Sequence, residues 1–399
     1  MGEKRPRARE AGVVIGVMPP GRHNAITDVP GVAVGQVTLC SGHGGLVAGR
    51  GPVRTGVTAV LPHGGNLFRQ KVPAAVHVIN GFGKSTGFDQ VRELGTIETP
   101  ILLTNTLAVG RVWDAVVSHM IAANPDIGVG SAGTVNPVVG ECNDGFLNDI
   151  QGRHVGEQHV LAAIRSAAAG PVAEGACGAG TGMSCFGFKG GIGTASRLLP
   201  AAMEGYTVGV LVLANYGRRE DLVIDGVPVG RELKEWPGDQ AMPGDGAGQA
   251  AGQTPAVPGA ATGPDQFALD VGSVMVVLGT DAPLDARQLG RLARRAGLGL
   301  ARTGSIAGHG SGDFVIAFAT TAGPPPLDDA AATYRATRLA EKGGIFGALF
   351  KATIEATEEA VINALFAAPT TEGRDGHVRP GLPIPLVREI LGRHGRLSQ

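Results

Sequence analysis

Aromatic residues are scarce in this sequence: two Trp, three Tyr and 12 Phe make up 4% of its 399 residues. A core of stacked rings is therefore excluded, and Val, Leu, Ile and Ala must supply it. Net charge is nearly absent as well, −1 at pH 7, so no overall field exists to gather nucleic acid or an anionic membrane, and neither is expected as a partner. The sequence holds no run of 18 apolar residues, which argues against a membrane-spanning helix. Cysteine is limited to Cys40, Cys142, Cys177 and Cys185, without CxxC or zinc-finger spacing; these read as free, reduced thiols in buried or Gly-rich segments. The histidines include no HExxH pair, and His154 with His159 stand at i and i+5, a poor shared helix face for one metal. Neither a metal nor an organic cofactor is expected. The opening "MGEKRPRAREAGVVIGVMPPG" carries charge and only a short apolar run, unlike a secretory signal, so a soluble, cytoplasmic protein is the expectation.

What is abundant is glycine, 65 residues, in a chain that is still 43% hydrophobic. That combination points to tight turns and close backbone approach within an ordered fold. Residues 1–21 read as a flexible arm, and 22–399 as one domain. Short β-branched strands are expected near 56–61, 75–80, 100–104, 207–214, 274–279 and 314–319. Helical periodicity appears over 107–123, 156–168, 285–297, 345–367 and 384–393; in the fourth of these Phe346, Leu349, Phe350, Ile354, Val361 and Leu365 share one face. Strands and helices alternate without the strict beat of a Rossmann or TIM chain, so a layered sandwich of sheets covered by helices is the expected architecture. Residues 237–266, rich in Gly, Ala, Pro and Gln, read as a flexible linker.

That loose stretch ends abruptly in "DQFALDVGSVMVVLGTDAPLDARQL", where Gly272-Ser273 passes directly into an apolar strand. A chain that cuts itself before a Ser to create an N-terminal nucleophile has physical requirements of this kind. Glycine before the nucleophile leaves the scissile carbonyl unhindered and permits unusual backbone angles. A rigid strand after it fixes the hydroxyl, and a loose segment before it lets the new carboxyl end move away. A Gly-Ser pair at an ordinary loop-to-strand join satisfies the same pattern.

Longer motifs decide between these readings. "GSVMVVLGTDAPLDARQLGRLARRAGLGLARTGS" and "GHGSGDFVIAFAT", with "NAITDVPGV", "NPVVGECNDGFLNDI", "GAGTGMSCFGFKGGIGTASR" and "VGVLVLANYG", resemble the self-processing aminopeptidases that include the L-aminopeptidase/D-esterase and the β-peptidyl aminopeptidases. More distantly, they are similar to the nylon-oligomer hydrolases. The likeness runs in order from about residue 22 to about residue 365. It implies an αββα sandwich of the N-terminal-nucleophile type, cleavage between Gly272 and Ser273 into chains 1–272 and 273–399, and homo-oligomers of the resulting αβ units. It further implies Ser273 as nucleophile, Ser311 and Asp313 as the nearby Ser-x-acid pair, and Asn215 as oxyanion-hole donor. Glu141 is implied as receptor of the substrate's free amino group, with Asn143 shaping the pocket where some relatives carry an aromatic residue. The implied substrates are short peptides, amides or esters with a free amine, whose acyl part is an L-, D- or β-amino acid.

Other patterns compete. Gly128, Gly130 and Gly133 satisfy GxGxxG, but neither a core strand before them nor a helix after them is expected, so a dinucleotide site is set aside. His309 lies close to Ser311 in sequence without a recognisable Ser-His-Asp order, and is read as shaping a turn. A nylon-type hydrolase of ω-amino oligomers and a sandwich that never cleaves and binds a small molecule are the two alternative functions.

Overall fold

The computed structural model describes residues 5–130, 133–233, 236, 272–321, 323–324 and 333–398. The expected linker, 237–266, lies outside the described residues. In chain order the strands are β1 (Ala33–Ser41), β2 (Val53–Leu61), β3 (Val72–Gly81), β4 (Thr96–Ile97), β5 (Ile101–Asn105), β6 (Val138–Cys142), β7 (Ser184–Cys185), β8 (Phe188–Lys189), β9 (Gly191–Leu198), β10 (Thr207–Asn215), β11 (Ser273–Thr280), β12 (Gly312–Ala319), β13 (Thr371–Glu372) and β14 (Val378–Arg379). The helices are α1 (Phe88–Leu94), α2 (Val109–Ala123), α3 (Glu157–Arg165), α4 (Val229–Glu232), α5 (Ala286–Arg302), α6 (Ile345–Ala367) and α7 (Ile384–Arg393).

A four-stranded sheet runs β1-β2-β5-β6 and a six-stranded sheet runs β4-β3-β12-β11-β10-β9, with β7-β8 and β13-β14 as short ribbons. Side-chain alternation along the strands explains how these sheets stack. Met275 and Val277 of β11 join Leu211 and Leu213 of β10 and Phe314 and Ile316 of β12, in a core shared with Val60, Ile101, Leu103 and Val138 of the smaller sheet. The intervening Val274, Val276 and Leu278, with Val210, Val212 and Val315, meet Leu289 and Leu292 of α5 and Ala356, Ala360 and Leu365 of α6. On the far side, Val57, Ala59, Leu102 and Val139 pack on Val112 and Val116 of α2 and Val160 of α3. The order is helices, small sheet, large sheet, helices: an αββα sandwich, as expected. Every residue of β11 is buried, which is why the strand reads as an apolar run without polar alternation. Helix α6 lies so close to β9 that a Cβ on Gly193 would stand 1.9 Å from the Ala360 carbonyl oxygen; only glycine fits there.

One expectation fails, and a second observation accounts for it. The segment read as a flexible arm is docked from residue 5 onward, with Ala8, Val13 and Ile15 fully buried, and the polar side of α6 is not solvated, since Glu355 and Glu359 are 2% and 0% exposed. Each of these facts explains the other. Arg9 pairs with Glu359 at 2.7 Å, while Arg197 pairs with Glu359 at 2.6 Å and with Glu355 at 3.2 Å. The main-chain N–H groups of Val17 and Met18 also donate to Glu355. Burial opposes the Glu359 charge, but Arg9, Arg197 and Asn24 outweigh it and hold the carboxyl below its ordinary pKa. The arginines and backbone of the N-terminal segment thus satisfy carboxylates that would otherwise be intolerable inside the protein. The four cysteines are free; Cys142 and Cys185 are buried, and Cys40, beside a Gly-rich stretch, is exposed.

Candidate active site

Three strand ends meet at one edge of the large sheet. Strands β10 and β11 pair antiparallel with Asn215 opposite Ser273, the last residue of one and the first of the other. Strands β11 and β12 pair parallel with Ser273 opposite Gly312, so both begin at this edge. Ser273 is 5% exposed. Its Oγ donates to the carbonyl of its own predecessor, Gly272, at 2.5 Å, and accepts from the N–H of Gly312 at 3.4 Å. That N–H also lies 3.3 Å from the Gly272 carbonyl oxygen. The glycine is required sterically: a Cβ on Gly272 would stand 2.8 Å from Cα of Tyr216.

Ser311 and Asp313 flank Gly312. The Ser311 hydroxyl donates to Asp313 Oδ1 at 2.6 Å, and the two residues are 2% and 1% exposed, so the i, i+2 spacing does bring hydroxyl and carboxylate onto one bonded pair. His309 contributes its carbonyl to this turn, accepting from Asn80 at 3.1 Å, and its ring lies beside Phe82 with centroids 6.4 Å apart.

The Asn215 amide has a fixed orientation. Its Oδ1 accepts from the N–H of Ser184 at 2.8 Å, which turns Nδ2 toward the carbonyl of Asn143, 3.0 Å away. One N–H of that group is thereby used. Asn143 is exposed, its own side chain occupied by the N–H of Gly145, so it meets Asn215 through its backbone.

Behind Ser184 lies a residue that sequence reasoning misses. Lys189 is fully buried, and its ammonium donates to the carbonyls of Gly180, Met183 and Gly190 at 2.9, 2.8 and 2.8 Å. All three hydrogens are spent on the Gly-rich turn that delivers the Ser184 N–H to Asn215. Burial drives the pKa of Lys189 down to about 7 and that of Asp144, the residue after Asn143, up to about 7. The only signal in the sequence is a lysine set among Phe and Gly in "CFGFKGGIG".

Glu141 stands on β6, across the sandwich from these strand ends; the next residue, Cys142, donates its thiol to the Leu213 carbonyl of β10 at 3.5 Å. It is 2% exposed. Its Oε1 accepts from the N–H of Lys84 at 2.7 Å and its Oε2 from the hydroxyl of Thr106. Both of these partners are neutral donors. Nearby, a cavity of about 680 Å³ is lined by Ser85, Thr86, Phe88, Asn136 and Phe314 among others. At the GxGxxG motif the Gly128 N–H bonds to the Gly133 carbonyl at 2.7 Å, and the next element in the chain is β6 instead of a helix.

A hydroxyl turned back on the peptide bond before it, at the head of a central strand of an αββα sandwich, defines a hydrolase of the N-terminal-nucleophile class. Comparison with known proteins narrows the class. The model of peptidase family S58 matches residues 24–379, and the chain belongs to that family. It is 44% identical over 393 residues to the β-peptidyl aminopeptidase BapA of Sphingosinicella microcystinivorans, covering 98% of this chain and 93% of that protein. Among solved structures it resembles the PH0078 protein of Pyrococcus horikoshii OT3, with TM-score 0.86 and 49% identity over 98% of this chain and 100% of that one. It also resembles the L-aminopeptidase D-Ala-esterase/amidase of Ochrobactrum anthropi, described as a variant of the Ntn hydrolase fold, with TM-score 0.84 and 36% identity over 99% and 100% of the two chains. The protein is a serine aminopeptidase.

Proposed function

We propose that the chain activates itself by cleavage between Gly272 and Ser273, and that Ser273 then releases N-terminal residues from short peptides, amides or esters. The observation that carries this reading is the Ser273 Oγ lying 2.5 Å from the Gly272 carbonyl oxygen. In maturation the hydroxyl adds to the Gly272 carbonyl carbon, the C–N bond breaks, and the ester formed is hydrolysed by water, leaving a carboxylate on Gly272 and a free amine on Ser273. In turnover the same oxygen attacks the substrate carbonyl, the leaving amine or alcohol departs protonated, and water deacylates the enzyme.

The freed α-amine has a reference pKa of about 7.7–8.0, which suits a general base near neutral pH. Ser311 and Asp313 orient that amine and the nucleophile, Asn215 donates to the oxyanion, and Glu141 receives the substrate ammonium, with the backbone of Asn143 fixing Asn215. Glu141 favours a substrate whose amine lies close to the scissile carbonyl, as in α- or β-aminoacyl compounds, over a long ω-amino oligomer. Free cysteines throughout support a reducing, cytoplasmic setting, and αβ units assembled into homo-oligomers complete the proposal.

Intact mass under denaturing conditions tests it. Wild-type protein is expected as two pieces meeting at Gly272-Ser273, and Ser273→Ala as one chain. An unbroken wild-type chain after prolonged incubation would refute self-activation.

A further inference from the structure

The pairing of β12 with β3 contains one irregularity, and it falls at the site. His77 lies opposite Val315 and Val78 opposite Phe314, but the register then shifts and Asn80 lies opposite Asp313. An unbroken ladder would set Ile79 there. A bulge of this kind re-aims a side chain, and here it exchanges an alkyl group for an amide beside the Ser-x-acid pair. The Asn80 Nδ2 lies 2.9 Å from the Gly308 carbonyl oxygen, 3.1 Å from that of His309 and 2.5 Å from that of Ser311. An amide has two N–H groups, so three carbonyls share them. The turn so gathered begins at Ala307, a residue with Cβ at φ +48°, a conformation that persists only where its surroundings enforce it.

We propose that Asn80 is a positioning residue that closes the 307–311 turn and thereby aims the Ser311 hydroxyl at Asp313 beside Ser273. This rests on the reading of Ser311 and Asp313 given above. Asn80 meets the carbonyls behind the pair, so its effect passes through Ser311. It falls on kcat and on the rate of self-cleavage, while KM, governed by Glu141, changes little.

The test compares wild type, Asn80→Ala, Asn80→Asp, Ser311→Ala and the Asn80→Ala/Ser311→Ala double variant. Self-cleavage is followed by intact mass over time, and kcat and KM are measured on an aminoacyl p-nitroanilide. Both Asn80 variants are expected to lose roughly 10- to 100-fold in kcat, the scale of a small misplacement of a reacting group, with KM within about twofold. Asn80→Asp keeps the side chain's size, so its loss reports the missing donors and not a hole. The double variant is expected within about threefold of Ser311→Ala, because residues acting through one another are not additive. Wild-type kcat in Asn80→Ala, or two losses that multiply in full, overturns this inference alone. Wild-type kcat in Ser311→Ala overturns the reading of the pair and this inference with it. Loss of the fold in both Asn80 variants would mean a structural role in place of a positioning one.

Discussion

At the scale of the residue, charge placement makes the sharpest demands. Glu141 accepts one backbone and one hydroxyl hydrogen bond; in Glu141→Gln the amide oxygen can keep the Lys84 N–H while the amide N–H₂ donates to the Thr106 hydroxyl, so that change isolates the charge. A charge-assisted bond is worth about 1.5–3 kcal/mol. Glu141→Gln is therefore expected to lower kcat/KM for a free aminoacyl p-nitroanilide by about 10- to 100-fold and to leave the N-acetylated compound unaffected; equal losses on both would remove the amine-receptor role.

Lys189 makes a different demand. Because burial lowers its pKa from the ordinary lysine value of 10.5 to about 7, the unfolded chain binds more protons than the folded one between those limits. This group therefore destabilises the fold while charged, and stability recovers as pH rises, by up to about 1.4 kcal/mol per pH unit. The thermal midpoint of wild type relative to Lys189→Met should accordingly rise between pH 7 and pH 9.5, and a flat difference would show the ammonium to be unperturbed. The contrast with Glu141 marks what sequence can and cannot reveal. Ser273, Ser311, Asp313, Asn215 and Glu141 stand out as candidates because the resemblance implies a role for each, whereas Lys189, although it lies inside one of the same motifs, and Asn80 act on carbonyls that converge only after the Gly178–Gly190 turn and the 307–311 turn have formed.

At the scale of the element, patterning identifies the helices and central strands well. The expected 345–367 and 384–393 are the bounds of α6 and α7; α6 is flanked by Gly344 and Ala368, and α7 starts after Pro383 and ends before His394-Gly395. Strand β6 escapes notice because it is five residues long, contains Gly140 and carries a buried Glu141 in place of an apolar residue. The N-terminal segment is misread for a deeper reason. Its arginines look solvated until Glu355 and Glu359 are known to be buried, and a helix whose glutamates face inward looks amphipathic from sequence alone. Removing one partner of such a network typically costs about 3–5 kcal/mol. Glu359→Ala should lower the thermal midpoint markedly while kcat, measured well below the transition, stays at the wild-type level. An unchanged midpoint would mean that the N-terminal segment contributes little to holding α6 in place.

At the scale of the whole molecule, the proposed cut between Gly272 and Ser273 would decide what becomes of the two pieces it creates. Strand β11, the first element of the 273–399 piece, is paired along its length with β10 of the other piece, from Ser273 opposite Asn215 to Thr280 opposite Val208. On its other side it pairs with β12, which in turn pairs with β3. Chain 273–399 thus supplies the middle of the six-stranded sheet and the helices α5 and α6 that cover it, while chain 1–272 supplies both edges and the entire small sheet. Arg9 and Arg197 of the first piece are bonded to Glu359 of the second. Separating the pieces would expose Val274, Val276 and Leu278, all fully buried, together with unpaired edges on both sides of the gap, at the cost of the fold itself. Cleavage should therefore change the denatured mass and leave the native mass unaltered: size-exclusion chromatography of matured wild type and uncleaved Ser273→Ala should give the same elution volume. Recovery of free 273–399 from native buffer would contradict this account of the sheet as one structure built from two chains.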